Sequence, residues 1–402
     1  MKEIQLITIA GRNGPEVTAS LTGILADFKV NVLDIGQSVI HDTLSLGVLV
    51  ELPRDARSSS ELNQVLLRAF EPDLQVRCTP ITETSYAHWV GGQGRPRYVV
   101  TLLARKISAW YLSRITGVFT DYGLHIDGIS RLSGRVPLGP LPALSKACVE
   151  FSVRGELADQ QRFRHDLLEL ASALDVDISL QEDNRYRRHR RLVAFDMDST
   201  LIDTEVIDEL AGIAGAGSEV SAITEQAMRG EMDFNTALVH RVALLKGLDE
   251  AVLAELARRL PITEGAERLI STLKSLGYKT AILSGGFSYF GEYLQRRLGI
   301  DYVYANQLEI AGGKVTGRVI EPIVDGARKA ELLREIAARE NIDLQQVISV
   351  GDGANDLPML SIAGLGIAFR AKPLVKRSAE QSISTLGLDG ILYLLGIGDR
   401  YQ

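Results

Sequence analysis

Leu192-Val193-Ala194-Phe195-Asp196-Met197-Asp198-Ser199-Thr200 is a short apolar run that ends abruptly in two acids. Four apolar residues in succession read as a strand buried on both faces, the kind found inside parallel sheets. Ligands of such sheets bind beyond the carboxyl ends of the strands. Residues two apart on an extended segment project to the same side, so Asp196 and Asp198 address one site. Two further strands end in the same way. Thr280-Ala281-Ile282-Leu283 runs into Ser284-Gly285-Gly286, and Val347-Ile348-Ser349-Val350 runs into Gly351-Asp352-Gly353-Ala354-Asn355-Asp356. Between them, Lys329 opens an amphipathic helix over residues 329–336. An α/β fold follows, with acid pair, hydroxyl, lysine and acid-bearing glycine loop converging on one sheet edge.

These residue types suit phosphoryl transfer. A carboxylate can attack phosphorus to give an acyl phosphate that water then hydrolyses, which divides one hard step into two. Asp196 is the candidate nucleophile. Its approach to an anionic phosphate calls for a hard cation with oxygen ligands, and Asp196, Asp352 and the backbone carbonyl of Asp198 are candidates to hold Mg²⁺. The Ser284 hydroxyl, the neighbouring N–H groups and the Lys329 ammonium suit the phosphoryl oxygens. Asp198 is placed to protonate the leaving oxygen and later to deprotonate water. Taken singly each motif is ordinary, since acids at strand ends also serve as turn formers and helix caps. Their ordered combination carries the reading.

This constellation resembles the haloacid dehalogenase superfamily, whose four motifs match Asp196-x-Asp198, Ser284, Lys329 and Gly351-Asp352-x-x-x-Asp356. The resemblance covers residues 192–402 and implies a doubly wound parallel sheet, with Asp356 behind the metal ligands. The insert over about 204–261 is helical in pattern and long enough to cap the site and exclude water. Within it Glu205, Met228, Phe234 and Arg241 stand as they do in phosphoserine phosphatases, to which this region is similar. That likeness assigns Glu205 to a substrate ammonium, Arg241 to its carboxylate, and Met228 with Phe234 to the apolar wall; Gly285, Asn355, Ser284 and Lys329 complete the substrate contacts. A zwitterion needs one acid and one base, and guanidinium suits a carboxylate bidentately. The resemblance thus implies hydrolysis of O-phospho-L-serine in the last step of serine synthesis. Two alternatives stay open: a related phosphatase or phosphotransferase on another small phosphomonoester, and an amino-acid-sensing or dimerisation protein with a vestigial phosphatase.

Upstream, residues 4–35 align without gaps onto residues 98–129 at a constant offset of 94. Both copies read in the order βαββαβ, the split βαβ arrangement. A Pro- and Gly-rich insertion interrupts the second copy over residues 134–144. The pattern resembles the ACT domain, a ferredoxin-like module that implies an amino-acid effector and pairing into a homodimer. The turn Gly11-Arg12-Asn13-Gly14-Pro15 offers glycines and a helix N-terminus to an anionic group, so Gly11, Arg12, Asn13, Gly14 and Asn31 are the candidate effector residues, with serine the leading candidate. The second copy has Arg105-Lys106-Ile107-Ser108-Ala109 there instead, which puts ligand binding by that turn in doubt. Both modules serving only as packing is the plainer alternative. The expected organisation is an ACT-like domain at 1–85, a second at 97–182 and a phosphatase domain at 192–402, with linkers over 86–97 and 181–191.

Length and composition bound the rest. At 402 residues, 46% hydrophobic and 24% charged, the chain is long enough for several cores and has no apolar stretch long enough for a membrane span. Its N-terminus reaches a polar turn before a secretory core can accumulate, so a cytoplasmic protein is expected. Two cysteines, Cys78 and Cys148, suit a reducing compartment. A net charge of −7 argues against a nucleic-acid partner, and the basic run over 185–191 reads as a solvated linker or an interdomain contact.

Overall fold

The computed structural model describes residues 3–53, 59–70, 72–136, 138–139 and 144–399, so the insertion over 134–144 lies partly outside the described residues. The chain divides into two compact units, Met1–Arg95 and Pro96–Gln402.

In the first unit, strands β1 (Glu3–Arg12), β2 (Asn31–Ile40), β3 (Thr43–Leu52) and β4 (Leu74–Ile81) form an antiparallel sheet in the order β2-β3-β1-β4. Helices Pro15–Asp27 and Ser59–Phe70 complete a ferredoxin-like βαββαβ fold. Strict alternation along β3 turns Leu44, Leu46, Val48, Val50 and Leu52 inward, where they share one core with Val17, Leu21, Leu62 and Leu66. Each such buried side chain stabilises the module by about 1.5–3 kcal/mol. The segment expected as linker is helical over Glu83–Gly91, because the Thr82 side chain accepts from Ser85 N at 3.1 Å and caps its first turn. The glycines stop that helix rather than preventing it.

The second unit opens with β5 (Arg97–Ala104), β6 (His125–Arg131), β7 (Ala147–Arg154) and β8 (Asp177–Glu182), ordered β6-β7-β5-β8. The repeat offset holds element by element: Glu3 against Arg97, Pro15 against Ala109, and Asn31 against His125 as starting residues. A seven-stranded sheet follows, built from β9 (Leu192–Phe195), β10 (Lys279–Phe287), β11 (Tyr302–Ala311), β12 (Lys314–Ile320), β13 (Val347–Gly351), β14 (Leu365–Phe369) and β15 (Gln381–Ile383). Its order is β12-β11-β10-β9-β13-β14-β15, parallel except for the β11–β12 hairpin at one edge. All four residues of β9 are buried, as expected for its central place. The chain moves from β9 to one side and later returns to β13 on the other, which opens a crevice at the carboxyl end of β9.

Four helices, Val206–Ala214, Gly217–Met228, Phe234–Ala243 and Ala251–Arg259, form the cap between β9 and β10. The chain enters and leaves it side by side, with Asp203 N donating to Pro261 O at 2.9 Å and Thr263 N to Leu201 O at 3.0 Å. The second βαββαβ module is fastened to the large sheet. Gln381 exchanges two side-chain hydrogen bonds with the Leu180 backbone, and Asp177 accepts from Ser384 N and Thr385 N. Leu103 and Cys148 join the core of the large domain.

The basic run over 185–191 is not simply solvated. Arg187 is buried and pairs with Glu150 of β7, and Arg190 is buried and donates to Gln345 O. Interdomain contact, the second of the two sequence readings, describes these residues. Cys148 is buried, Cys78 half-buried, and both are free thiols. Among the described residues, no helix is long and apolar enough to cross a membrane.

Candidate active site

A cavity of about 690 Å³ lies over the carboxyl end of β9, lined by Asp196, Asp198, Ser284, Gly285, Asp352 and Asn355 from the sheet domain and by Glu205, Met228, Phe234 and Arg241 from the cap. The chain leaves β9 through a tight turn in which Ser199 adopts φ 54°, a left-handed conformation unusual for a residue with a Cβ. That turn brings Ser199 Oγ to 2.7 Å from Glu205 Oε1, so the first cap acid is held by the same loop that carries Asp198. Asp198 Oδ1 accepts from Val206 N at 3.1 Å, at the start of the first cap helix.

Lys329, wholly buried in helix Gly326–Arg339, donates to Asp356 Oδ1 at 2.6 Å and lies 2.8 Å from Asp196 Oδ1. Burial opposes its charge, but Asp196 and Asp356 outweigh that and raise its pKa. Asp325 caps this helix by accepting from Arg328 N at 2.8 Å, which fixes Lys329 at its first turn. Asp356 Oδ2 accepts from Gly353 N at 3.0 Å, so this acid orders both the lysine and the loop bearing Asp352. The Ser284 hydroxyl accepts from Gly286 N at 2.9 Å, leaving its proton available to a ligand oxygen. The glycines here are a matter of space: a Cβ on Gly286 would stand 2.2 Å from Asp198 Oδ2, and one on Gly285 would stand 2.7 Å from the Phe234 ring of the cap.

The electrostatics point to a cation. Asp196, Asp352 and Asp356 each bring a carboxylate oxygen within 4.8 Å of the others. Lys329 is one ammonium among these three acids, and Asp196 Oδ1 has no well-directed hydrogen bond despite being buried. Burial pushes the Asp352 carboxyl up to about 8, and the charges of Asp196 and Asp356 add to it. Burial likewise raises Asp356, with Asp196 adding to the effect, and holds Asp198 well above the usual carboxylate range, with Glu205 and Asp196 adding to it. A hard, oxygen-ligating divalent cation is the group that this donor set fits. Asp356 takes a place in this triad beside Asp196 and Asp352, while the Asp198 side chain turns to the cap.

The cap end of the cavity is a charge pair facing the acids. Arg241 lies half-buried, anchored through Nε to Ala237 O at 3.3 Å; burial lowers its pKa, which Glu205 partly offsets. Loss of solvent inside the cavity holds the Glu205 carboxyl above its ordinary value. Met228 is 61% exposed and stands at the rim, whereas Phe234 is half-buried over Gly285. The effector candidates lie in the other unit, around the β1–helix turn. Gly11 and Arg12 belong to β1, Gly14 caps helix Pro15–Asp27, and Asn31 begins β2. Gly11 has φ 152°, and a Cβ there would meet Leu74 Cδ2 at 2.6 Å.

Three supporting residues carry no sequence signal of their own. Buried Asn306 on β11 donates to Gly285 O at 2.8 Å and accepts from Val324 N at 2.7 Å, tying the Ser284 loop to the segment before Lys329. Thr200 Oγ1 lies 3.3 Å from Asp352 Oδ1, and Asn235 Nδ2 donates from the cap to Asp325 at 3.3 Å.

Residues 193–361 match the haloacid dehalogenase-like hydrolase family, and residues 3–79 match the ACT domain. A phosphoserine phosphatase of Streptomyces coelicolor is 41% identical over 98% of this chain and 92% of its own length. The chain belongs to the phosphoserine phosphatase family. A second relative, phosphoserine phosphatase SerB2 of Mycobacterium tuberculosis, is 38% identical over 98% of this chain and 93% of its own. Among solved structures, a probable phosphoserine phosphatase from Vibrio cholerae superimposes with a TM-score of 0.59 at 33% identity, covering 75% of this chain and 86% of that one. Family membership and cavity agree, since the strand-end acids Asp196 and Asp352 and the cap charges Glu205 and Arg241 line one space, with Lys329 buried against Asp196.

Proposed function

We propose that this chain hydrolyses O-phospho-L-serine to L-serine and phosphate through an aspartyl phosphate on Asp196, completing serine synthesis. The observation that carries this reading is the division of one cavity into a phosphate end, with Asp196 and Ser284 in the wall and buried Lys329 directly behind Asp196, and an amino-acid end, with Glu205 and Arg241 on the cap. Asp196 attacks phosphorus, the ester oxygen leaves with the proton held by Asp198, and Asp198 then takes a proton from the water that releases phosphate. The raised Asp198 carboxyl suits this exchange, because it holds a proton where an ordinary aspartate has lost it. Lys329, the Ser284 hydroxyl and N–H groups of the Ser284–Gly286 turn bind the phosphoryl oxygens, with Asn355 beside them. Mg²⁺ held by Asp196, Asp352 and the Asp198 carbonyl would offset the repulsion between carboxylate and phosphate.

Recognition is tested at Arg241. Arg241→Ala is expected to lower kcat/KM for phosphoserine by at least about tenfold, the worth of a charge-assisted hydrogen bond. Its activity on p-nitrophenyl phosphate should stay within about twofold of the parent. Equal losses on both substrates would remove Arg241 from amino-acid recognition.

Metal binding is tested through stability. In the unfolded chain Asp352 ionises near 3.8, and in the folded chain near 8. Between these values the native state holds a proton that the unfolded state has lost, so this group's contribution to the stability of metal-free protein falls as pH rises toward 8. The cation needs the ionised form, so its stabilisation grows over the same window. At one sub-saturating Mg²⁺ concentration, the gain in Tm over chelated protein should therefore be larger at pH 8 than at pH 6. Equal gains would place the cation elsewhere.

The first module supports two further parts of the reading, a serine effector near Gly11 to Gly14 and Asn31, and a homodimer. Edge strand β2 leaves Val32, Ile35 and Ile40 exposed, a surface suited to a second copy. The two free thiols suit a cytoplasmic setting.

A further inference from the structure

The turn at Arg105, which breaks the repeat, has a defined place in the structure. Arg105 stands at the register position of Gly11, at the end of β5. Its Nη1 and Nη2 donate to Glu264 Oε1 and Oε2 at 3.0 and 2.9 Å, a bidentate fork between the second module and the phosphatase domain. Glu264 directly follows Thr263, whose N–H bonds Leu201 O in the paired crossing between sheet domain and cap. Its Oε2 also accepts from Arg370 Nη2 at 3.2 Å, and Arg370 Nη1 lies 3.7 Å from Asp203 on the opposite strand of the crossing.

The segment after Glu264 has little freedom to relax. Glu264 O accepts from Leu388 N at 2.7 Å, and a Cβ on Gly387 would stand 2.4 Å from that oxygen. Gly265, at φ 80°, leaves a Cβ only 2.3 Å from Asp389 Oδ1. Lys146 of the second module and Arg268 both reach buried Asp389. Arg105 of the module thus grips the chain where it emerges from the cap, and Lys146 holds Asp389 against Gly265 of the same segment.

We propose that Arg105 is a positioning residue for the cap: through Glu264 it holds the crossing over 201–205 and 261–264 in the register that aims Glu205 and Arg241 into the cavity. Glu205 lies two residues beyond Asp203, and its carboxylate is held by Ser199 of the same loop, so a shift of the crossing moves it directly. Asp196, Ser284 and Lys329 stand on the sheet domain and stay in place. The module therefore acts on recognition of the amino-acid end and leaves the nucleophile and phosphate-binding groups of the sheet domain in place, an inference that rests on the reading of the cap given above. Among the half-buried ion pairs here, the Arg105–Glu264 fork carries the coupling, and the longer Arg370–Asp203 contact at the exposed edge adds to it.

The full-length chain tests this with Arg105→Ala and the milder Arg105→Lys, which keeps the charge but not the fork. Arg105→Ala is expected to raise KM for phosphoserine by about three- to tenfold, the range of one charge-assisted pair, with kcat/KM for p-nitrophenyl phosphate within about twofold. Arg105→Lys should fall between the two proteins. Hydrogen exchange should quicken at the amides of Asp203 and Thr263 in both variants while those of β9 stay protected. An unchanged KM for phosphoserine in both variants overturns the proposal, as does an equal loss on both substrates or unchanged exchange at the crossing. Parent enzyme inactive on phosphoserine would instead overturn the substrate reading.

Discussion

Asp196→Asn is expected to lower kcat on phosphoserine by at least about 10⁴-fold, the scale on which removal of a covalent nucleophile acts. The amide keeps the size of the carboxylate but offers no anion to attack phosphorus. Folding should survive, because Lys329 keeps its hydrogen bond to Asp356 and the crowding of Asp196 with Asp352 and Asp356 is relieved. In chelator the variant should melt no lower than its parent. Single-turnover phosphate release is the measurement, since it reports the chemical step apart from product release. Activity within about tenfold of the parent would mean that another group attacks, and the aspartyl phosphate would have to be abandoned.

The parts of the site legible in the sequence share one property: each sits at the end of a local pattern. Asp196, Ser284 and Asp352 follow short apolar runs, and such runs become β9, β10 and β13 because only a central parallel strand buries both of its faces. Lys329 opens a helix whose apolar face was visible by periodicity. What stayed hidden depends on residues far apart in the chain. Thr200 meets Asp352 across 152 positions, and Arg105 meets Glu264 across 159, so no window along the sequence contains both partners. Arg187 and Arg190 left solvated linker and interdomain contact undecided for a related reason. A basic run suggests solvent until Glu150 and the Gln345 carbonyl are known to face it. Helix Glu83–Gly91 was obscured because its flanking glycines resemble a linker, while its cap rests on a single threonine.

The repeat shows how one fold diverges within one chain. Lys29 adopts φ 51° where Gly123 stands at φ 64° in the second copy, so the same left-handed corner is kept with different residues. At Gly11 and Arg105 the copies part. The first keeps a glycine where a Cβ would meet Leu74, and the second carries an arginine that reaches the cap crossing. The two modules share a fold without sharing this turn.

Lys329→Met separates the two duties of the buried ammonium. Methionine keeps much of the apolar stem, so packing changes little, while Asp196 and Asp356 lose the cation between them. Removing one member of a buried ion pair leaves the other charge uncompensated, and a stability loss of about 3–5 kcal/mol is expected at pH 8 in chelator. Asp356 has a way out, which is to take up a proton. Burial already holds it above its unfolded value and the lost ammonium lets it rise further, so the native variant binds a proton that the unfolded chain does not, and its stability falls as pH rises. The deficit against the parent should therefore be smaller at pH 5.5 than at pH 8 in urea unfolding. A deficit equal at both values would assign it to packing rather than charge. Activity should fall by about 10²–10³-fold in kcat/KM even where the variant is fully folded, because Ser284 and its turn still bind the phosphoryl oxygens but no longer share them with a fixed positive charge. A folded variant of near-normal activity would leave Lys329 with a structural duty alone.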